Sequence, residues 1–282
     1  MVIYMLLTLA VGWLISWYFS SDIILIFFAI LVIIQGGISY WYADSIALGL
    51  ARAELLSQKQ YPQVYRTVQN LTITAGLPMP RLFLINDTAM NAFATGRDPR
   101  HAALALTQGL IDKLDDNELS GVIAHEMSHV GNEDIRLMSM VMVMGGLIAL
   151  LSDFFLRSLW WGGERRRDDN GNSGLLMIIA LILALLAPLA ATLIQLAISR
   201  KREFMADASG VLLTRYPEGL ISALTKIGGD REPLEVANKA TAHMYFKNPL
   251  PEGWLSNLFS THPPIAERIA ALQKGSGLST SR

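Results

Sequence analysis

The sequence contains no cysteine, and this absence excludes several kinds of chemistry. Disulfide bonds, thiolate metal sites and a cysteine nucleophile all require a thiol, so the chain cannot use any of them. An excess of positive charge is also missing, because the formal net charge is −1 and charged residues make up only 17% of the chain. This balance argues against a nucleic-acid partner, which would favour a basic face.

Apolar residues are abundant instead, at 52% of the 282 residues, and the mean hydropathy is +0.36. They form long runs, which favours membrane segments over a larger soluble core. The runs 1–19 and 23–41 are each close to the roughly 20 residues that span a bilayer. A cleaved signal peptide is the alternative for the first run, but it has no basic n-region and no A-x-A-like site. We therefore expect an uncleaved transmembrane hairpin at 1–42.

Two further apolar regions occupy the middle of the chain, at 137–161 and 175–198. The second of these is long enough to span a bilayer, whereas the first is interrupted by Asp153 and could be re-entrant or interfacial. We expect a second transmembrane pair at 135–198. Two crossings would return the chain to the side of the membrane on which the preceding soluble segment, 43–134, lies. The segments 43–134 and 199–282 would then form two halves of one soluble domain.

The segment 121–131 contains an H-E-x-x-H pattern made by His125, Glu126 and His129. On an α-helix, this spacing puts both imidazoles on one face, where they can share one tetrahedral zinc ion. Glu126 could then take a proton from the attacking water. The same short pattern also arises by chance in unrelated proteins, so the interpretation depends on whether this segment is a helix.

The residues on either side of the pattern predict such a helix. Asp115 can act as its N-cap, and Glu118 three residues later completes a capping box. Gly131 fits the left-handed residue that often follows a helix end. Before this helix, strand-like runs at 81–86, 91–96 and 102–107 predict a small antiparallel sheet, and the amphipathic segment 44–69 predicts a soluble helix.

A catalytic zinc ion usually has three protein ligands, and no third histidine follows at the metzincin spacing. The third ligand could instead be a carboxylate on a later helix. Glu203 and Asp207 are four residues apart and so share one helical face. Glu203 could ligate zinc, and Asp207 could accept the outer N–H of a ligating imidazole. The alternative is an ordinary charged helix start beside a membrane run.

Three motifs that occur in order carry a family resemblance: His125-Glu-Met-Ser-His129, Ser199-Arg-Lys-Arg-Glu-Phe-Met-Ala-Asp207 and Ser260-Thr-His-Pro-Pro264. Together with Asn91-Ala-Phe-Ala-Thr-Gly96 they resemble the HtpX-type membrane metallopeptidases. These are zincins whose third ligand is a glutamate, and they are related to the CAAX prenyl proteases. The resemblance covers nearly the whole chain. It implies an α+β, mainly α-helical fold, in which a helical membrane protein carries a zincin-like catalytic domain.

The resemblance also implies roles for individual residues. His125, His129 and Glu203 would bind one Zn²⁺, with Glu126 as the general base. His262 and Arg268 would stabilise the transition state, since cationic donors favour the oxyanion. The substrate-binding residues would lie on an edge strand that pairs with extended substrate through its backbone; they are Asn91, Ala92, Phe93 and Ala94.

The implied function is that of a membrane-bound zinc endopeptidase that cleaves misfolded or damaged membrane proteins in quality control. Its partners would be such substrates and the lipid bilayer, with no nucleic acid. The family implies a multi-pass protein of the inner membrane whose catalytic domain faces the cytoplasm, although the basic triplet 165–167 does not follow the positive-inside rule. The alternatives are a CAAX-type prenyl-protein protease, which typically has more membrane helices, and a non-proteolytic zinc-binding scaffold, whose structural zinc would usually have four ligands.

Overall fold

The computed structural model describes residues 2–143, 200–236, 241–247 and 263–276. Within these ranges the protein is mainly α-helical and carries one small sheet, in agreement with the predicted fold class. Most of the third apolar run, the whole of the fourth run and His262 lie outside the described residues.

The amino-terminal part consists of helix α1 (Val2–Phe19) and helix α2 (Asp22–Leu50), joined at Ser20 and Ser21. The two helices approach closely at Gly12, where an added Cβ would lie 2.5 Å from the Cβ of Phe28. Among the described residues, α2 is the helix that is long and apolar enough to cross a membrane, with a mean hydropathy of 2.5. It continues nine residues beyond the predicted end of the second apolar run.

The prediction of one soluble helix at 44–69 is wrong. Its first residues belong to α2, and the chain then forms the short strand β1 (Glu54–Leu55) before helix α3 (Pro62–Ala75). Arg52, with a φ of 51°, lies in the turn just past the end of α2. Pro62 is the first residue of α3, where the missing N–H of proline costs no helical hydrogen bond. The amphipathic pattern therefore covers the end of α2, strand β1 and the first part of α3.

The sheet contains the three predicted strands, as β2 (Arg81–Ile85), β3 (Ala92–Thr95) and β4 (Ala103–Thr107). Its strand order is β1-β2-β4-β3. β2 pairs with β4 in parallel, whereas β1–β2 and β3–β4 are antiparallel, so the prediction of an antiparallel sheet is wrong and the sheet is mixed. The reason is that β3 forms a hairpin on the outer side of β4, which leaves β4 running in the same direction as β2.

The remaining helices surround one central helix, α5 (Asp116–Gly131), which follows the short α4 (Gln108–Lys113). After α5 the chain is helical at 134–143. Later helices are α6 (Arg200–Thr214), α7 (Pro217–Gly229) and α8 (Ile265–Gly275), and 3₁₀ turns occur at Pro99–His101 and Ala242–Met244. Apolar residues of α5 are fully buried in a core shared with β3 and α7, and include Val122, Ile123, Met127 and Val130.

The predicted start of α5 is confirmed, and its predicted end is not. Asp115 accepts hydrogen bonds from the N–H groups of Asn117 and Glu118, while Glu118 accepts one from the Asp115 N–H at 2.9 Å. Gly131 is not a left-handed cap, because it lies inside the helix. The left-handed residue is Glu133, with a φ of 58°, since the chain turns there into the next helical stretch.

Candidate metal centre

The structure brings His125, His129 and Glu203 together in the buried contact between α5 and α6. The two Nε2 atoms of the histidines are 3.3 Å apart. Oε2 of Glu203 lies 3.7 Å from Nε2 of His125, and Oε1 lies 3.5 Å from Nε2 of His129. Gly210 permits this close approach of the helices, since an added Cβ would lie 3.0 Å from the His125 backbone nitrogen.

This donor set fits a zinc ion in both geometry and chemistry. Nitrogen and oxygen ligands at roughly 2.0–2.1 Å from a tetrahedral zinc lie about 3.3–3.5 Å from each other, which is close to the observed separations. Two imidazoles and one carboxylate are the three protein ligands of a common class of catalytic zinc site. The residues therefore match a metal site that leaves one coordination position for another molecule.

The outer side of His125 is fixed by a buried Asp–Arg pair. Nδ1 of His125 donates to Oδ1 of Asp207 at 2.9 Å. Arg268 holds both oxygens of that carboxylate, at 2.6 and 2.9 Å, and its guanidinium stacks 4.5 Å from the centre of the Phe246 ring. Since Nδ1 carries the proton, the Nε2 lone pair of His125 points to the metal position.

His129 has a corresponding pair of partners, which the sequence analysis missed. Its Nδ1 donates to Oδ2 of Asp134 at 3.1 Å, and Arg202 donates to Oδ1 of the same carboxylate at 2.6 Å. The sequence gives little indication of this contact. Asp134 follows His129 by five residues, and in a continuous helix it would lie on a different face from His129. Both imidazoles of the cluster are thus oriented by a carboxylate that an arginine holds in turn.

The charges around the cluster favour a dication. Among the described residues, four carboxylates of Asp134, Asp207, Glu126 and Glu203 surround two guanidinium groups, leaving two negative charges when both histidines are neutral. Although burial opposes it, the hydrogen bond to Asp134 and the nearby carboxylates raise the pKa of His129 to about 9. The site therefore attracts positive charge, which a divalent metal ion would supply.

The surroundings of His125 lower the pKa of its imidazole, in contrast to those of His129. Burial and the charge of Arg268 lower the pKa of its imidazole to about 4, so it is neutral near pH 7 and able to ligate a metal. Burial alone would raise the pKa of Asp207, but Arg268 lowers it to about 2. The carboxylate that supports His125 therefore stays ionised throughout the ordinary pH range.

Two predicted catalytic residues have distinct surroundings. Glu126 is buried beside the cluster on α5. Burial alone would lower the pKa of His129 and of Arg268, but nearby carboxylates, Glu126 among them, raise both. Arg268 is 0% exposed and lies on the Nδ1 side of His125, opposite the metal-facing Nε2. Arg268 thus contacts the carboxylate that holds His125, on the side of the imidazole away from Glu203.

The predicted substrate strand forms an edge of the sheet, as β3. Part of that edge is already covered, since the Phe246 N–H donates to the Ala92 carbonyl at 2.8 Å. The side-chain amide of Asn91 exchanges two hydrogen bonds with the backbone of Lys247, at 2.9 and 3.1 Å. The Phe246 ring also contacts the His125 ring edge-on, with centroids 4.9 Å apart, so the strand edge and the metal cluster are neighbours.

All four residues of β3 are buried, backbone included, and its side chains and outward-pointing peptide groups have separate surroundings. Phe93 is buried in an edge-to-face contact with Tyr245, with ring centroids 5.1 Å apart. The Thr107 N–H donates to the Asn91 carbonyl, and the register pairs Ala92 with Leu106. By the alternation of antiparallel pairs, the peptide groups of Ala92 and Ala94 point away from β4, towards the outer edge.

Comparisons with known proteins agree with this geometry. The family model described as peptidase family M48 matches residues 58–276. A protease HtpX homolog of Tropheryma whipplei is 47% identical over 252 residues, which cover 88% of this chain and 85% of the relative. Another, from Caldanaerobacter subterraneus subsp. tengcongensis, is 46% identical over 276 residues, covering 96% of this chain and 92% of the relative.

A solved structure has the same fold at lower sequence similarity. The crystal structure of S. mikatae Ste24p matches with a TM-score of 0.53 and 18% identity, covering 95% of this chain and 62% of that chain. This likeness concerns the fold.

Proposed function

The chain belongs to peptidase family M48, and from this membership we propose that it is a membrane-bound zinc endopeptidase of the HtpX type. The observation that carries the proposal is the buried cluster of His125, His129 and Glu203, whose donor atoms lie within 4.8 Å of one another. Zinc is the metal that this donor set suits best, and one ion per chain would fill the site.

When bound there, zinc would polarise the scissile carbonyl and lower the pKa of water at the open coordination position. Glu126 would accept a proton from the attacking water and then donate it to the leaving amine. Because Glu126 directly follows His125 in the chain, the two side chains cannot easily bind the same metal ion. The carboxylate of Glu126 is therefore available for proton transfer. Burial of Glu126 beside the cluster supports this role.

The surrounding residues would divide the other tasks. Asp207 and Arg268 would hold His125 in the tautomer that ligates zinc, so we assign Arg268 to positioning and not to the oxyanion. His262 remains the proposed cationic donor to the oxyanion, on the family resemblance and the chemistry of that step.

A peptide substrate would bind in extended form along the outer edge of β3. Because Ala92 is engaged by Phe246, the pairing would centre on the peptide groups of Ala94. Recognition through backbone hydrogen bonds suits unfolded segments of varied sequence. We therefore propose that unfolded or damaged membrane proteins are the substrates, with the catalytic domain on the cytoplasmic side of the inner membrane.

The experiment that tests this function compares Glu126→Gln with the wild-type protein. Casein, as an unfolded model substrate, should be cleaved by the zinc-loaded wild type and not by the variant, while zinc content and the unfolding midpoint stay unchanged. Glu218→Gln is the matched control, because Glu218 is exposed in the first turn of α7. Undiminished cleavage by purified Glu126→Gln would refute its role as the base.

A further inference from the structure

The position of Asp134 beside His129 depends on a break in the helix. Successive residues of an α-helix are rotated by about 100°, so a residue five positions after His129 would lie about 140° away from it. The chain avoids this outcome because Glu133, with a φ of 58°, interrupts the helix. Non-glycine residues adopt this conformation at an energetic cost, and such strain is concentrated at functional sites.

Each oxygen of the Asp134 carboxylate has its own partner. Oδ2 accepts from Nδ1 of His129 at 3.1 Å, and Oδ1 accepts from Arg202 at 2.6 Å. With only the histidine as partner, the carboxylate could rotate about its side-chain bonds. Arg202 fixes the plane of the carboxylate, and a charge-assisted hydrogen bond of this kind is stronger than a neutral one.

The two residues also connect separate parts of the chain at the metal cluster. Asp134 is the first residue of the helical stretch 134–143, just after the turn that follows α5, and Arg202 lies in the first turn of α6, next to Glu203. The ion pair therefore holds the helix that provides the carboxylate ligand against the segment that orients the second histidine. Arg202 has a side chain that is 37% exposed, whereas Asp134 is buried.

We infer that Asp134 and Arg202 form a positioning pair that orients His129 towards the metal and raises its affinity for zinc. The pair is the counterpart of Asp207 and Arg268 at His125. Asp134 acts directly on the imidazole, and Arg202 acts through Asp134. This inference rests on the proposed function, because it requires that the cluster bind zinc.

The test measures zinc affinity of the full-length purified protein by competition with a chromophoric chelator. Asp134→Asn should bind zinc about 10–100-fold more weakly, as expected when a carboxylate that orients a ligand is replaced. Arg202→Gln should show a smaller loss in the same direction. The double variant should resemble Asp134→Asn alone, since Arg202 acts through that residue.

The matched control is Arg136→Gln, which removes an arginine from an exposed ion pair with Glu133 at 3.1 Å. It should bind zinc like the wild type. Visible absorption of the cobalt-substituted proteins gives a second readout, because the bands report ligand geometry: they should shift in Asp134→Asn and Arg202→Gln and not in the control. Arg202→Gln keeps the test informative if Asp134→Asn does not fold, since Arg202 is partly exposed.

Two results would overturn the inference in distinguishable ways. If the wild type binds zinc and cleaves casein while Arg202→Gln matches Arg136→Gln in affinity and cobalt spectrum, the positioning role fails and the proposed function stands. If the wild type binds no zinc, both fail.

Discussion

Gly210 offers the most direct test of how the fold builds the metal centre. It lies on α6 seven residues after Glu203 and three after Asp207, so all three share one helical face. A Cβ added at Gly210 would lie 3.0 Å from the backbone nitrogen of His125 and 3.2 Å from its Cα. Gly210→Ala therefore pushes α6 directly against the helix that carries both histidines.

The size of the effect follows from these distances. Carbon atoms in ordinary contact are about 3.5–4.0 Å apart, so the two helices must separate by roughly half an ångström or more. Overpacking of this kind costs about 1–3 kcal/mol, partly offset by the ~0.5–1 kcal/mol advantage of alanine over glycine within a helix. The expected net loss in the free energy of unfolding lies between about 0 and 2.5 kcal/mol.

Gly210→Ala should reduce zinc affinity and casein cleavage more than it reduces the stability of the fold. Metal–ligand distances tolerate changes of only about 0.2 Å, so the same displacement should weaken zinc binding by at least about tenfold. Since a misplacement of about 1 Å can reduce a rate about 100-fold, casein cleavage should fall between tenfold and 100-fold even at saturating zinc.

The assay compares Gly210→Ala with Gly229→Ala for zinc affinity, casein cleavage and unfolding midpoint. Gly229 is the last residue of α7, and a Cβ added there meets nothing within 4 Å among the described residues, so this control should behave as wild type. If Gly210→Ala binds zinc and cleaves casein within twofold of Gly229→Ala, the close contact of α5 and α6 does not set the metal geometry, and the reasoning is refuted.

Three further predictions concern single side chains. Glu203→Ala should lose most of its zinc while Glu218→Ala retains it, and equal zinc content of the two purified proteins would remove Glu203 from the site. Arg268→Gln should weaken zinc binding, whereas a lower kcat with unchanged zinc affinity would restore its role at the oxyanion. Although burial alone would raise the pKa of Glu118, its bonds to Lys226 and Ser222 lower it. Its carboxylate therefore stabilises the fold above about pH 4.5, and this contribution is lost as the pH falls through the lowered folded-state pKa. Glu118→Gln should thus reduce the free energy of unfolding at pH 7 and flatten its decline on acidification, and an unchanged pH dependence in denaturant titrations would contradict this.

Features set by neighbouring residues could be predicted from the sequence. The capping box of Asp115 and Glu118 depends on three residues of spacing, and it is present in the structure. The one-turn separation of His125 and His129 fixes their common face as soon as the segment is helical, and the structure places both beside Glu203.

Features set by distant pairing could not be predicted in the same way. Strand β1 has two residues, too few to show any periodicity. The parallel pairing of β2 with β4 depends on which edge of the sheet β3 occupies, and no local sequence pattern indicates that edge. Strand-like runs identified the three main strands, but sheet order is a property of the tertiary fold.

The metal centre shows the same division between ligands and the residues that hold them. Ligand-capable side chains can be recognised by type and helical spacing, because coordination needs particular atoms on one face. Their supporting partners are separated by 68 residues for Arg202 and Asp134 and by 61 for Arg268 and Asp207, so neither pair forms a local pattern. An unbroken helix would also put Asp134 on the face away from His129, and the sequence does not indicate the break at Glu133. A glycine within a helix usually weakens it, yet at Gly210 the absence of a Cβ is what allows the second ligand helix to reach the first.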